Sequence, residues 1–234
     1  MRSTRQEEIA AFYRATFGLT EVLRHISANN GKLAIYLTDG EINLAIIPGG
    51  PGIEGIDHFG FQVDDVAATS EAALKAGARR GATSVPQDGR KNEAFMTDPI
   101  DQRVDLSVRG WDHDGTATAR ISRLTIVAND PAQLATFYED VFGLRDVSQD
   151  VAAGSGSVLT DGHLELTILP NPAAGMVGSR TGVKRFGFQV DDIAAAFTAA
   201  SSAGAELNRA ESYVVDPQGQ RIDLIPRKVE ALAR

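Results

Sequence analysis

A self-match running the length of the chain constrains its architecture more than any other feature. EEIAAFYRATFGLTEV, from Glu7, returns as AQLATFYEDVFGLRDV, from Ala132. YLTDGEINLAIIP, from Tyr36, returns as VLTDGHLELTILP, from Val158. IDHFGFQVDDV, from Ile56, returns as VKRFGFQVDDI, from Val183, and TDPIDQRVDL, from Thr97, returns as VDPQGQRIDL, from Val215. The offsets are 125, 122, 127 and 118 residues, so order is kept and only loops change length. The chain is a tandem duplication. The first copy is read as residues 1–110 and the second as 120–234. Residues 111–119 form a linker, in a stretch where Gly, Asp and Thr gather between patterned segments.

Each copy alternates between two periods. Ile9, Phe12, Tyr13 and Phe17 fall on one face of a helix that Gly18 ends; Leu134, Phe137, Tyr138 and Phe142, then Gly143, repeat the pattern. A second helix per copy is expected to open at an Asp N-cap, Asp64 or Asp191, and to stop at Gly77 or Gly204. Between them lie runs of period two. In HLELTIL, Leu164, Leu166 and Ile168 share one face, and His163, Glu165 and Thr167 the other. In RFGFQVD, Phe186, Phe188 and Val190 oppose Arg185, Gly187 and Gln189. The reading is an α+β fold of β-α-β-β-β modules, helices on one sheet face and the other face left to line a cleft.

Composition narrows the partners. With 23 Lys and Arg against 31 Asp and Glu, the net charge of −8 opposes binding to a phosphate backbone, so no nucleic-acid partner is expected. No apolar run approaches the roughly 18 residues of a membrane span, and the N-terminal residues lack a signal-like apolar core. No membrane partner is expected, and the chain reads as soluble and cytoplasmic. Zero cysteines exclude disulfides, thiolate metal sites and Cys nucleophiles. GGPGIEG (49–55) lacks the Lys and Ser/Thr of a phosphate-binding P-loop, and no G-x-S-x-G element is present.

FYRATFGL and FYEDVFGL, the H/R-FGFQVDD passage and the closing DP-x-x-QR-x-DL resemble, in both copies and in order, the vicinal oxygen chelate superfamily, which includes glyoxalase I, bleomycin-resistance proteins and extradiol dioxygenases. The resemblance implies two tandem domains, each of paired βαβββ modules curving around a cleft. Metal-using members of that superfamily project His or Gln with Glu from four strands. In the second copy those slots fall on Arg123, Glu165, Arg185 and Asp223. A guanidinium has no lone pair to donate and does not deprotonate in proteins. Two cations and two carboxylates therefore make a neutral ion-pair quartet, and no metal cofactor is expected in the second copy.

The first copy departs differently. A counterpart of Ile121–Val127 would begin before Met1, so the first strand of that domain reads as missing, and the sheet edge left open suggests a homodimer. Its remaining slots are Asn43, His58 and Asp105, one ligand short of a zinc or iron set. His25, His113 and His163 have no partner at metal spacing.

The first expectation is therefore a metal-free protein enclosing a small organic ligand, with Arg123 and Arg185 reaching an anionic group and Glu165 and Asp223 holding them. A metal-dependent lyase, epimerase or ring-cleaving dioxygenase, with a divalent metal at His58, Asp105 and weakly Asn43, is the alternative. A non-enzymatic scaffold subunit is the third. Catalytic residues are not legible.

Overall fold

The computed structural model describes residues 1–26, 31–81, 94–108, 117–150, 156–176 and 180–227. They form four βαβββ modules. The first is β1 (Arg2–Ser3), α1 (Gln6–Phe17), β2 (Thr20–Ile26), β3 (Leu33–Thr38) and β4 (Asn43–Pro48). The second is β5 (Phe59–Gln62), α2 (Val66–Lys75), β6 (Arg79–Arg80), β7 (Ala94–Thr97) and β8 (Arg103–Ser107). The third is β9 (Ala119–Ala128), α3 (Pro131–Phe142), β10 (Arg145–Asp146), β11 (Ser157–Thr160) and β12 (Glu165–Pro170). The fourth is β13 (Gly182–Val190), α4 (Ile193–Ser202), β14 (Glu206–Asn208), β15 (Tyr213–Val215) and β16 (Arg221–Pro226).

Local sequence explains the boundaries. Gly18 and Gly143 take left-handed φ of 70° and 66°, which lets each return its N–H to a carbonyl of the last helical turn. The Asp N-caps of α2 and α4 are Asp65 and Asp192, one residue beyond the expected pair. Each accepts two backbone N–H groups of the first turn. The helices run to Lys75 and Ser202, and Gly77 and Gly204 follow the caps with positive φ. The strand expected to be missing is a stub: β1 has two residues and pairs parallel with β4, Arg2 to Ile47 and Ser3 to Pro48. In the second copy β9 pairs with β12 over six positions, from Arg123–Glu165 to Ala128–Pro170.

Packing divides the chain differently from the duplication. One compact unit comprises Met1–Gly55, His113–Ser122 and Phe186–Arg234; the other comprises Ile56–Asp112 and Arg123–Arg185. The first thus joins the first module to the fourth, with strand orders β1-β4-β3-β2 and β13-β16-β15-β14. The second joins the second module to the third, with orders β5-β8-β7-β6 and β10-β11-β12-β9.

The same wiring holds each unit. In the first, the Tyr13 hydroxyl donates to Asp216 Oδ2 at 2.9 Å, and Phe17 stacks on Phe188 with centroids 3.9 Å apart. In the second, the Tyr138 hydroxyl donates to Asp98 Oδ2 at 2.7 Å, and Phe142 stacks on Phe61 at 4.0 Å. Each Asp opens the turn before the last strand of its copy, and its Oδ1 accepts two backbone N–H groups there. Burial pushes both phenols and both carboxyls up, and for the carboxyls their hydrogen bonds offset part of that rise. Each helix is therefore keyed to the closing turn of the other copy.

Candidate functional site

On β8 the pleat turns Val104 and Leu106, both fully buried, to one face and Arg103 and Asp105 to the other. The arginine grips the carboxylate side-on: Nε donates to Asp105 Oδ1 at 2.7 Å and Nη2 to Oδ2 at 3.2 Å. Its guanidinium carbon stands 4.2 Å from the Phe95 ring centroid, and Phe95 is the cross-strand partner of Asp105. The arrangement recurs on β16. Arg221 Nε donates to Asp223 Oδ1 at 2.8 Å, and its guanidinium lies 3.9 Å over Tyr213, the partner of Asp223 on β15. At Gly60, the register partner of Asp105, a Cβ would come within 2.7 Å of the Asp105 carbonyl oxygen. A side chain there would push the strands apart.

His58 immediately precedes β5. Its Nδ1 lies 2.6 Å from Asp57 Oδ2 and its Nε2 lies 3.5 Å from Asp105 Oδ2, so the imidazole stands between two carboxylates. The structure thus brings His58 and Asp105 together, whereas Asn43, on β4, belongs to the other unit. Asn43 Oδ1 is buried with no hydrogen-bond partner among the described residues.

In the second copy Arg123 and Glu165 are register partners, and the arginine Nε and Nη2 both donate to Glu165 Oε2, at 3.0 and 2.6 Å. Arg185 stands half-buried on β13 in the same unit. Asp223 lies in the other unit, and its neighbour on its own strand is Arg221.

These contacts decide how well the chain suits the superfamily's metal. Arg123 and Arg185 offer no lone pair, and Glu165, Asp105 and Asp223 each accept from an arginine. Among the described residues no group of three or more His, Asp or Glu could hold a metal ion. The donor set does not fit one. His25 and His163 join no such group, and His113 lies outside the described residues. A hollow of about 330 Å³ in the second unit is lined by Pro99, Ile100, Asn129, Asp130 and neighbours, none of them a ligand-slot residue.

Sequence reasoning weighed Asp105 and Asp223 but passed over Arg103, Arg221, Asp57 and the two stacking rings. The signal was present: in R-x-D on a strand the two residues share a face. The rings were not legible, because pairing them with the carboxylates needs the register of a separate strand.

Two family models match the chain, and between them they span nearly all of it. Residues 1–107 match a glyoxalase-like domain, and residues 120–222 match the Glyoxalase/Bleomycin resistance protein/Dioxygenase superfamily. The chain belongs to that superfamily. "Putative glyoxylase CFP32" of Mycobacterium bovis is 27% identical over 217 residues, 88% of this chain and 81% of the relative; the protein of that name from Mycobacterium tuberculosis matches equally. Among solved structures, the 2,3-dioxygenase LapB from Pseudomonas sp. KL28 superposes with a TM-score of 0.65 at 17% identity, over 96% of this chain and 89% of LapB. A variant of 4-hydroxymandelate synthase from Streptomyces coelicolor gives 0.64 at 16% identity, over 97% and 90%. At such identity the likeness shows the glyoxalase–dioxygenase fold alone. No helix among the described residues is long and apolar enough to cross a membrane.

Proposed function

We propose that this superfamily member binds a small organic ligand without a metal, its second copy holding an anionic group of that ligand through Arg123 and Arg185. The observation that carries the reading is the commitment of the ligand-slot carboxylates to arginines: Glu165 to Arg123, Asp105 to Arg103 and Asp223 to Arg221. A carboxylate bonded to a guanidinium has its charge already paired and part of its acceptor capacity engaged. A divalent ion entering there would also meet a fixed positive charge, at about 4 kcal/mol for each pair of unit charges about 4 Å apart at an effective dielectric of about 20. Glu165, meanwhile, uses a single oxygen to hold Arg123, fixing the guanidinium while leaving other N–H groups to a ligand.

Elemental analysis of the purified protein, with thermal unfolding in organic acids before and after chelation, tests this. Sub-stoichiometric metal and ligand stabilisation that survives chelation but is lost in Arg123→Gln are expected. A stoichiometric transition metal lost in His58→Ala would instead establish a metal-dependent lyase, epimerase or dioxygenase. That second reading draws on the closeness of His58 to Asp105.

A further inference from the structure

The two R-x-D pairs look alike but end differently. A guanidinium has a side-on edge, Nε with Nη2, and an end-on edge, Nη1 with Nη2. Asp105 takes the side-on edge of Arg103. Among the described residues nothing accepts from Arg103 Nη1. In the other pair, Arg221 Nη1 is directed to Glu211 Oε2 at 3.4 Å. Arg103 thus presents an end-on fork where Arg221 has a carboxylate of its own chain.

The surroundings suit a ligand. Arg103 is about a third exposed, and Asp105 and His58 are less so, at 16% and 19% of their side chains. The stacked Phe95 ring covers one face of the guanidinium and the Asp105 carboxylate fixes its plane, so the open edge is held in one direction. Val104 and Leu106 anchor the strand from behind. A fork pre-set in this way loses little rotamer freedom when it accepts a second partner.

We infer that the end-on edge of Arg103 is the anchor for a planar carboxylate of a small organic ligand, on the half-buried face of β8 that His58 adjoins through Asp105. The inference rests on the metal-free reading of the superfamily site and gives the first copy a ligand group of its own. Arg103 and Asp105 are neutral as a pair, so recognition there comes from the fork geometry. A planar carboxylate matches two parallel N–H donors, and a spherical anion does not.

The test uses the full chain labelled with [15N]arginine and titrated with sodium benzoate, followed by the arginine side-chain N–H resonances. Comparison with Arg103→Gln and Arg221→Gln assigns the two signals. The Arg103 resonances should move saturably with benzoate and stay still in chloride at equal ionic strength, while those of Arg221 stay still in both. Glu211→Gln, which removes the carboxylate charge facing Arg221, should make Arg221 respond as well. Arg103→Lys keeps the charge without the fork, and its benzoate affinity, read as the benzoate concentration needed for half-maximal thermal stabilisation, should be about tenfold weaker, the worth of one hydrogen bond to a charged group. Arg103 signals that stay fixed while others saturate, or that chloride moves equally, overturn the inference. Failure of the metal-free reading would look different: a benzoate response that vanishes on chelation. The Arg123 and Arg185 signals report separately on the second copy.

Discussion

The two packing units share a wiring plan and differ in how well it is sealed. In the first, Tyr13, Phe17 and Phe188 are fully buried and Phe186 is nearly so. In the second, Tyr138 is equally buried, but Phe59, Phe61 and Phe142 are only half-covered. The helices explain part of this: α4 buries Ala196, Phe197 and Ala200, whereas α2 buries Ala73 alone, and Ser70 stands where α4 has Phe197. The looser unit is the one that carries His58, Asp105, Arg103, Arg123, Glu165 and Arg185. Duplicated modules have kept the residues that hold helix to turn, Tyr13–Asp216 and Tyr138–Asp98, and kept the R-x-D pairs, while Asn43 and His58 in the first copy stand where the second has Glu165 and Arg185. The ligand site proposed above lies in this looser unit, and binding surfaces are commonly drawn from regions of lower local stability.

Mutations in equivalent residues can break this comparison. The largest effect is expected for Phe17→Ala, at about 3–5 kcal/mol, the usual cost of removing a fully buried aromatic side chain. Phe142→Ala, which empties a half-exposed position, should cost clearly less in the same urea titration. Equal costs would remove the difference in sealing. Tyr13→Phe and Tyr138→Phe should each cost about 1.5–3 kcal/mol, because each takes one donor from a buried carboxylate. Here the two units should agree, and a cost confined to one would show that the locks are not equivalent. Asp65→Ala and Asp192→Ala remove matching caps and should each cost about 1 kcal/mol.

The smallest effect is a slope. Burial raises the Asp98 and Asp216 carboxyls in the folded chain above their unfolded value. Such groups favour folding fully below the unfolded value, about 3.9, and that contribution is lost as pH rises through the folded value. Asp98→Asn/Asp216→Asn should therefore gain stability relative to the natural chain as pH climbs out of the ordinary carboxylate range. A pH series of denaturation midpoints with no such divergence would contradict the assignment.

How much of this the sequence disclosed depends on the range of the interaction. Helix faces, αL glycines and strand alternation are local, and Tyr13, Phe17, Leu166 and Ile168 could be placed from spacing alone. The caps at Asp65 and Asp192 were displaced by one residue because two adjacent aspartates precede each helix. The partner of Tyr13 is 203 residues away, and nothing local distinguishes the turn of its own copy from that of the other. The interleaved units were invisible for that reason. At the site, the family resemblance singled out Glu165 and Asp105, with strand alternation supporting Glu165, but neither counted the arginine two positions before Asp105.

The central claim is the proposed metal-free site: Arg123 and Arg185 at the ligand slots of the second copy, and in the first a His58–Asp105 pair whose carboxylate is already held by Arg103. It is tested most directly by calorimetric titration of the full chain, and of His58→Ala, with zinc and manganese. Heats of dilution alone, identical for both proteins, are the expected result. A saturable binding isotherm in the natural chain that disappears in His58→Ala would contradict it.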